Sequence, residues 1–547
     1  MTAHLLIGPL LRRVVGDRAT IWVEITEPAT VRVEVEGGGA GSAHTFSAYG
    51  HHYALVVVDG LTPAAAREYR VFLDDRQVWP AAESPYPPSV ISTRPARDAD
   101  APVRLIFGSC REATPHSTAR HLPPDALDAY SRRLMTDPGH PGLRPDLIVL
   151  LGDQVYADNT SAKVRRFLRR RRAAGHQGPA DEVVTFDEYT KLYLESWRDP
   201  EIRWLLSTVP SVMIFDDHEL IDDWNTSASW RADMAEQSWW VERIAGGLAS
   251  YWVYQHLGNL SPDELAADQL FGKATAAGDA TVLLHDFGRS VDGYSVDSAE
   301  LRYQWSFALD LGRTRLVMLD NRCNRVLTPG AREMLPAQEW SWFVDQAHGD
   351  YDHLVVGSSL PWLMPPAIHY LEVWNEMTAD SARPRVAANA EKLRRAFDLE
   401  HWAAFGRSFR ALGELFRRLG EGGADSPGHR VGAGGAYAAP ATISVLSGDV
   451  HHSYVARADF GDGMRTPVMQ LTCSPVHNQV PVFMRPLMRF SWSRAAARGV
   501  RGLARRVAEV TVEGTNADGG LFEVASVSYP AENSAASRPR VRQNGAR

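Results

Sequence analysis

Two kinds of hydrophobic pattern divide the chain. From about Leu5 to Arg94 apolar and polar residues alternate in short segments, Ala19–Ile25, Thr30–Val35 and Glu68–Leu73, joined by the run Tyr53–Val58 and separated by Gly, Pro and Asp clusters. A period of two marks strands with one buried face, and this spacing of turns predicts an all-β sandwich. Trp22 is expected in its core, and Tyr69, after Leu61-Thr62-Pro63, as a corner tyrosine. Pro85, Pro87 and Pro88 keep the next stretch extended, which places a domain boundary at about residues 97–98.

Beyond it the pattern changes to strand-like apolar runs, unbroken at Leu147–Leu151, Val212–Phe215 and Leu354–Gly357 and interrupted once, by Arg104 and by Ser444, at Val103–Phe107 and Ile443–Leu446. Such runs read as strands buried on both faces. They alternate with stretches of helical spacing, Asp125–Thr136, Phe186–Trp197, Asp233–Tyr254 and Ser381–Leu419, and with a hairpin at Tyr303–Leu309 and Thr314–Leu319. The reading is a layered α/β domain over residues 98–483, with insertions at about 160–182 and 378–440 and a glycine-rich link at Glu421–Gly435. A helical and strand extension, 484–530, and a polar tail, 531–547, follow; the tail's composition predicts disorder. Met484–Val507 is amphipathic, which predicts packing on the parent domain, with peripheral membrane contact as the other use of such a face.

Composition narrows the class. Hydrophobic content is 44% and charged content 23%, as in globular proteins, and 58 Lys+Arg against 66 Asp+Glu leave a net charge of −8, which gives no footing for sequence-specific nucleic-acid binding. The basic segment Lys163–Arg172 reads as a solvated face, or as a positive rim drawing an anionic substrate. The three cysteines, Cys110, Cys323 and Cys473, make no disulfide framework. No apolar run is long enough to span a bilayer, and the N-terminus reads without a leader, so a cytoplasmic location is expected.

The chemistry sits where the buried runs stop. They end in Gly108-Ser109-Cys110-Arg111, Gly152-Asp153, Asp216-Asp217-His218-Glu219 and Ser447-Gly448-Asp449-Val450-His451-His452. An Asp after one strand is commonly a helix cap, but four clusters at equivalent positions supply a thiol, the phenol of Tyr156, carboxylates and imidazoles, an inventory of metal ligands. Asp320 and Arg322, at another strand end, read as a structural ion pair or as substrate contacts. His452 reads as structural or supporting, and His477 as either site rim or loop packing.

The blocks GSCRE (108–112), GDQVYAD (152–158), DDHE (216–219) and SGDVHHS (447–453) resemble those of the alkaline phosphatase D (PhoD-like) branch of the calcineurin-type metallophosphoesterases, and the β-rich N-terminal part resembles the immunoglobulin/fibronectin-like sandwich that precedes the catalytic domain there. The resemblance implies a metallophosphoesterase-type β-sandwich with flanking helices and hydrolysis of phosphate mono- or diesters by water or hydroxide activated between two metals. It implies Fe3+ held by Cys110, Asp153, Tyr156 and His451, and Ca2+ near Asp153, Asp217 and Asp449, with Mn2+, Zn2+ or Mg2+ as alternative divalent ions. His218 would contact the phosphate or protonate the leaving oxygen, and Arg111 would bind substrate oxygens. Asp217 stands where the superfamily has Asn, Asp449 replaces the first histidine of its Gly-His-x-His block, and the superfamily's mid-domain histidine has no counterpart, with Ser358 at the strand end and His353 before the strand. Two other readings compete: a metal-free hydrolase with Cys110 as nucleophile, and a non-catalytic binding protein on a phosphatase-like core.

Overall fold

The computed structural model describes residues 2–95, 101–113, 122–140, 142–293, 301–422, 439–460, 464–480, 482, 484–511 and 525–528. Residues 423–435 of the glycine-rich link and the whole 531–547 tail lie outside the described residues.

The alternating segments form an all-β domain. Strands β1 (Leu5–Val15), β2 (Arg18–Ile25), β3 (Thr30–Val35), β4 (Ala40–His44), β5 (Phe46–Ala48), β6 (His51–Val58), β7 (Ala66–Leu73), β8 (Arg76–Trp79) and β9 (Val90–Ser92) make two sheets, ordered β1-β2-β6-β5 and β4-β3-β7-β8, with β9 on β7. Ile21, Val23, Val33 and Val71 fill the space between them. The opposite face of the first sheet is not solvated. Ile7, Leu10, Trp22 and Tyr53 enter one core with Trp197, Trp204 and Tyr254 of the following domain.

This placement corrects two expectations. Trp22 is fully buried between the domains, edge-on to Trp197 and donating its indole N–H to the Val253 carbonyl at 2.9 Å. Tyr69 does not close a corner of its own sandwich; its hydroxyl donates to the Ser207 carbonyl across the interface at 2.6 Å. Arg12 fastens the same interface, its guanidinium donating to the carbonyls of Ser211, Tyr254 and Gln255. Burial lowers the pKa of that guanidinium to about 9.

The second domain is a sandwich of two sheets with helices on both outer faces. One sheet has three parallel strands, β10 (Leu105–Gly108), β11 (Leu147–Leu151) and β12 (Ser211–Ile214). The other orders β13 (Phe307–Leu311), β14 (Thr314–Leu319), β15 (His353–Ser358), β16 (Thr442–Ser447), β17 (Tyr454–Ala458), β18 (Val468–Thr472) and β19 (Ala525–Ser528) as β13-β14-β15-β16-β18-β17-β19, with β14, β15, β16 and β18 parallel. The unbroken apolar character of β11 is explained by its two buried faces. Leu147, Val149 and Leu151 meet Leu316, Met318, Val355 and Leu446 between the sheets, while Ile148 and Leu150 face the helices.

Helices begin where caps are available. Asp125 accepts the N–H groups of Leu127 and Asp128 to start Ala126–Thr136, and Thr185 with Glu188 forms a capping box ahead of Phe186–Trp197. Lys163–Arg172 lies in the helix Ala162–Ala173, where Arg169, Arg171 and Arg172 pair with Asp181, Asp187 and Glu188. With Lys163 3.9 Å from Glu195, four of its seven positive charges are therefore spent on neighbouring carboxylates. The helix read at 233–254 is two, Ala228–Ala235 and Trp240–Tyr251. The stretch read as helical at 381–419 is two helices, Pro384–Ala396 and Gly406–Glu421, separated by a turn at Trp402–Ala404, and a further helix, Pro366–Ala379, precedes Pro384. A proline tolerates only a helix's first turn, so Pro384 opens a new helix and cannot continue the old one. The C-terminal helix Arg494–Thr511 packs along Pro366–Ala379, with the Arg501 guanidinium over the Tyr370 ring. No helix among the described residues is long and apolar enough to cross a membrane.

Candidate metal centre

The carboxyl ends of the parallel strands of both sheets meet at one edge of the sandwich. After β10, the Cys110 N–H donates to the Gly152 carbonyl, and the Ser109 hydroxyl accepts the Asp449 N–H from beyond β16 at 2.9 Å. Two glycines permit the approach. Gly152 has φ +99°, and a Cβ there would lie 2.5 Å from Asp216 Cβ; a Cβ at Gly448 would overlap the Ser109 side chain. Cys110, Asp153, Asp449 and His451 all adopt left-handed backbone, with φ of 58°, 53°, 66° and 50°. Such backbone is uncommon for residues with side chains and costs on the order of 1–3 kcal/mol each, so its concentration at three strand ends marks a site built under strain.

Glu219 ties the turns together. Its Oε2 accepts the N–H groups of Asp153 and Asp216 at 2.9 and 2.8 Å, and its Oε1 accepts that of Gln154 at 2.8 Å. Around this hub stand two overlapping groups whose ligand atoms lie within 4.8 Å of one another: Asp153, Asp216, Asp217 and Asp449, and Asp153, Asp217 and His218. Asp153 and Asp216 are almost fully buried, and one oxygen of each, Asp153 Oδ1 and Asp216 Oδ2, has no hydrogen-bond partner. Burial pushes both carboxyls well above the usual carboxylate range; His218 opposes this at Asp153 and Arg322 at Asp216. Buried carboxylates gathered this closely, with orphaned oxygens on Asp153 and Asp216, fit one or more multivalent cations, which supply the missing positive charge.

The sequence-derived ligands fall on two sides of Asp153. Asp217 and Asp449 join it in the acidic group. Tyr156 stands on the other side, its hydroxyl 3.4 Å from Asp153 Oδ2 and accepting from the Asn478 amide at 3.0 Å. Cys110 is fully buried and its sulfur contacts the hydroxyls of Ser109 and Ser474 and the Asp449 carbonyl. Ser474 also accepts the His451 N–H, which brings that residue to the same flank. Burial raises the pKa of the Cys110 thiol and the Tyr156 phenol, and lowers that of the His451 imidazole to about 4, leaving it neutral and able to bind a cation. Cys110, Tyr156 and His451 therefore flank the acidic group rather than enter its tightest part.

His218 is oriented by a residue the sequence reading did not single out. Its Nδ1 donates to Asp158, 2.9 Å from both carboxylate oxygens, and its ring lies against that of Tyr156 with 4.5 Å between centres. Burial alone would lower its pKa, but Asp158, Asp153 and Asp217 outweigh it and hold the ring protonated well above pH 6.5. The imidazole is about one-fifth exposed at the site's rim.

Arg111 does not take the substrate-binding position expected of it. Its guanidinium is 4% exposed and donates to Asp125 and to the hydroxyl and carbonyl of Ser196, so it locks the turn after β10 onto two helices. Asp320 and Arg322 do not pair with each other. Asp320 caps the N–H groups of Arg322 and Cys323, and Arg322 is fully buried against Asp216 and Glu400, with Asp217 at 3.5 Å. His477 packs as loop structure, its Nδ1 on the Glu112 carbonyl, and His452 bonds its own turn at Val450. Ser358 bonds the Leu360 carbonyl, and His353 meets the Thr442 hydroxyl; neither reaches the cluster.

Sequence reasoning missed Asp216, Asp158 and His401. Asp216 was readable as the first carboxylate beyond β12, and Asp158 as the end of its own block. His401 comes from the insertion: its Nδ1 lies 2.6 Å from Glu372 Oε1 and its Nε2 3.3 Å from Asp449 Oδ2. Burial raises the Asp449 pKa, but the His401 contact and the charge of Arg322 reverse this and hold it below the usual range. A cavity of about 940 Å³ lies elsewhere, at the amino ends of the strands beside Arg104, Leu147 and Gly312.

A family model described as PhoD-like phosphatase matches residues 120–346, and one described as a domain of unknown function (DUF7800) matches residues 2–91. Among solved structures, one titled "Structure of PhoD" is similar with a TM-score of 0.54 at 15% identity, covering 86% of this chain and 77% of that one. No curated protein sequence matches the chain.

Proposed function

From a chain that carries a PhoD-like phosphatase domain over residues 120–346, we propose that this protein is a metal-dependent phosphoesterase whose centre is the acidic group Asp153, Asp216, Asp217 and Asp449. The observation that carries the reading is the pair of buried, partnerless oxygens on Asp153 and Asp216 within that group. A harder divalent ion such as Ca2+, Mn2+, Zn2+ or Mg2+ would be held by these carboxylates, and Fe3+ by Asp153 with Cys110, Tyr156 and His451. Cations so bound would supply Lewis acidity toward a phosphoryl oxygen and a nucleophilic water at neutral pH.

The chain's own residues supply the rest. Asp158 fixes the His218 ring and keeps it protonated, so the partly exposed side of the ring faces the rim as a donor to a leaving oxygen. Glu219 holds the turns of Asp153 and Asp216 at fixed separation, and Arg322 neutralises part of the acidic charge from behind. The departures from a free-nucleophile arrangement also favour this reading. The sulfur of Cys110 has hydroxyl and carbonyl partners and no imidazole among them. Three unpaired cysteines support a reducing compartment, the cytoplasm.

Bis(p-nitrophenyl) phosphate and p-nitrophenyl phosphate are the substrates to try on protein purified without chelator. Turnover that is lost on chelation, returns with iron and calcium, and is abolished in Asp153→Asn supports the proposal. Full activity in metal-stripped enzyme or in metal-replete Asp153→Asn would refute it.

A further inference from the structure

Among its described residues, the insertion between β15 and β16 meets the acidic group and the arginine behind it at the dipeptide Glu400-His401. Both residues are buried, 3% and 7% exposed. His401 is held from behind by Glu372, a fully buried carboxylate on the helix Pro366–Ala379, and meets Asp449 Oδ2 from the front. Glu400 spans two arginines, Oε1 on Arg322 at 2.5 Å and Oε2 on Arg325 at 2.9 Å. Arg322 in turn contacts Asp216 Oδ1 and Asp217 Oδ2.

The contacts share a pattern. Asp449, Asp216 and Asp217 each have one oxygen facing a group that the insertion supplies or anchors: Asp449 Oδ2 faces His401 Nε2 at 3.3 Å, a charge contact outside hydrogen-bond geometry, and Arg322, held by Glu400, donates to Asp216 Oδ1 and lies 3.5 Å from Asp217 Oδ2. In Asp216 the second oxygen is the partnerless one. A carboxylate free to rotate about its last bond presents either oxygen, and bracing one of them selects the other for a ligand. We propose that Glu372, Glu400 and His401 are positioning residues of the cation site, and that the insertion over 366–406 is a built wall of that site. The proposal rests on the metallophosphoesterase reading above. It adds three residues that lie outside the four sequence blocks, together with a reason for the insertion to be folded against the strand ends.

The test is Mn2+ binding to the full chain, followed by calorimetry or by the loss of the free-ion electron paramagnetic resonance signal, with kcat and KM measured on the same preparations. His401→Leu is expected to weaken Mn2+ binding about 10- to 100-fold, the range for residues that orient ligands, with the loss in kcat larger than the change in KM. His401→Gln keeps an amide donor toward Asp449 and should recover most of the affinity, a rescue that a merely space-filling role would not require. A folded His401→Leu protein with wild-type Mn2+ affinity overturns the inference. Should that variant be misfolded, Glu372→Gln decides: several-fold weaker Mn2+ binding supports the positioning role and unchanged binding refutes it. Wild-type protein that binds no Mn2+ and turns over no phosphate ester would instead bring down the underlying functional reading, so the two failures are distinct.

Discussion

Replacing Gly152 by alanine tests the geometry of the site without touching a charge. The substitution meets two obstacles. The backbone at φ +99° is one that L-residues avoid, a cost of about 1–2 kcal/mol, and the new methyl would sit 2.5 Å from Asp216 Cβ where about 3.5 Å or more is needed, an overpacking cost of about 1–3 kcal/mol. Together these come to about 2–5 kcal/mol. Unfolding entropy of about 2.1 cal/mol/K per residue amounts to about 1.1 kcal/mol/K over 547 residues, so Tm should fall by about 2–4 °C. Relief of the clash must part the turns of Asp153 and Asp216 by about 1 Å, which would take their carboxylates out of a shared coordination sphere. The assay is differential scanning calorimetry of the metal-free protein, paired with cation binding. Gly16→Ala separates the two costs, since Gly16 has φ +61° and nothing within 4 Å of its added methyl; it should lose about 1–2 °C and no cation affinity. A Gly152→Ala protein with Tm within 1 °C of wild type and unchanged cation binding would refute the reasoning.

Three further outcomes are expected. Asp158→Asn removes the charge that orients and protonates His218, so kcat should fall on the order of 100-fold on alkyl phosphates and much less on nitrophenyl esters, whose leaving group needs no proton; equal losses on both would exclude the acid role. His256 is buried edge-on to Trp305 and its pKa is lowered by burial to about 3; because the unfolded ring titrates near 6.5, the stability it contributes is present above about pH 6.5 and is lost as pH falls toward 3, about 2 kcal/mol by pH 5, so His256→Phe should shrink the Tm loss between pH 7.5 and 5 by about 2 °C. Arg12→Met leaves buried carbonyls of Ser211, Tyr254 and Gln255 without donors and should lower Tm by about 3–5 °C, read by calorimetry.

The strand ends were legible because a buried strand must end abruptly, and whatever polar residue follows stands out against it. That signal located Cys110, Asp153, Asp217 and Asp449, and the structure brings all four to one edge. It did not distinguish the two faces of a turn: Arg111 follows Cys110 in the same block yet points back into the helices. Asp216 was hidden by its resemblance to a capping aspartate, and it does cap the turn over Asp217–Glu219, accepting the Asp217 N–H. His401 left no trace in the pattern, because its relation to Asp449 is made only when an insertion folds back across the sheet. For the same reason the sequence reading put Trp22 in the sandwich's own core, whereas it lies on the opposite face of its sheet, against the following domain.

The contacts of Arg12 limit how far this chain can be treated as modular. Its guanidinium, on the first strand of the chain, donates to the backbone at the first residue of β12, and β12 is the strand whose far end carries the Asp216–Glu219 block. A chain cut at the proline-rich boundary would leave that strand short of a donor and uncover the aromatic face around Trp197 and Tyr254. The sandwich and the α/β domain therefore share one buried core, and the strand that carries the acidic block is anchored at its near end by a residue of the other part.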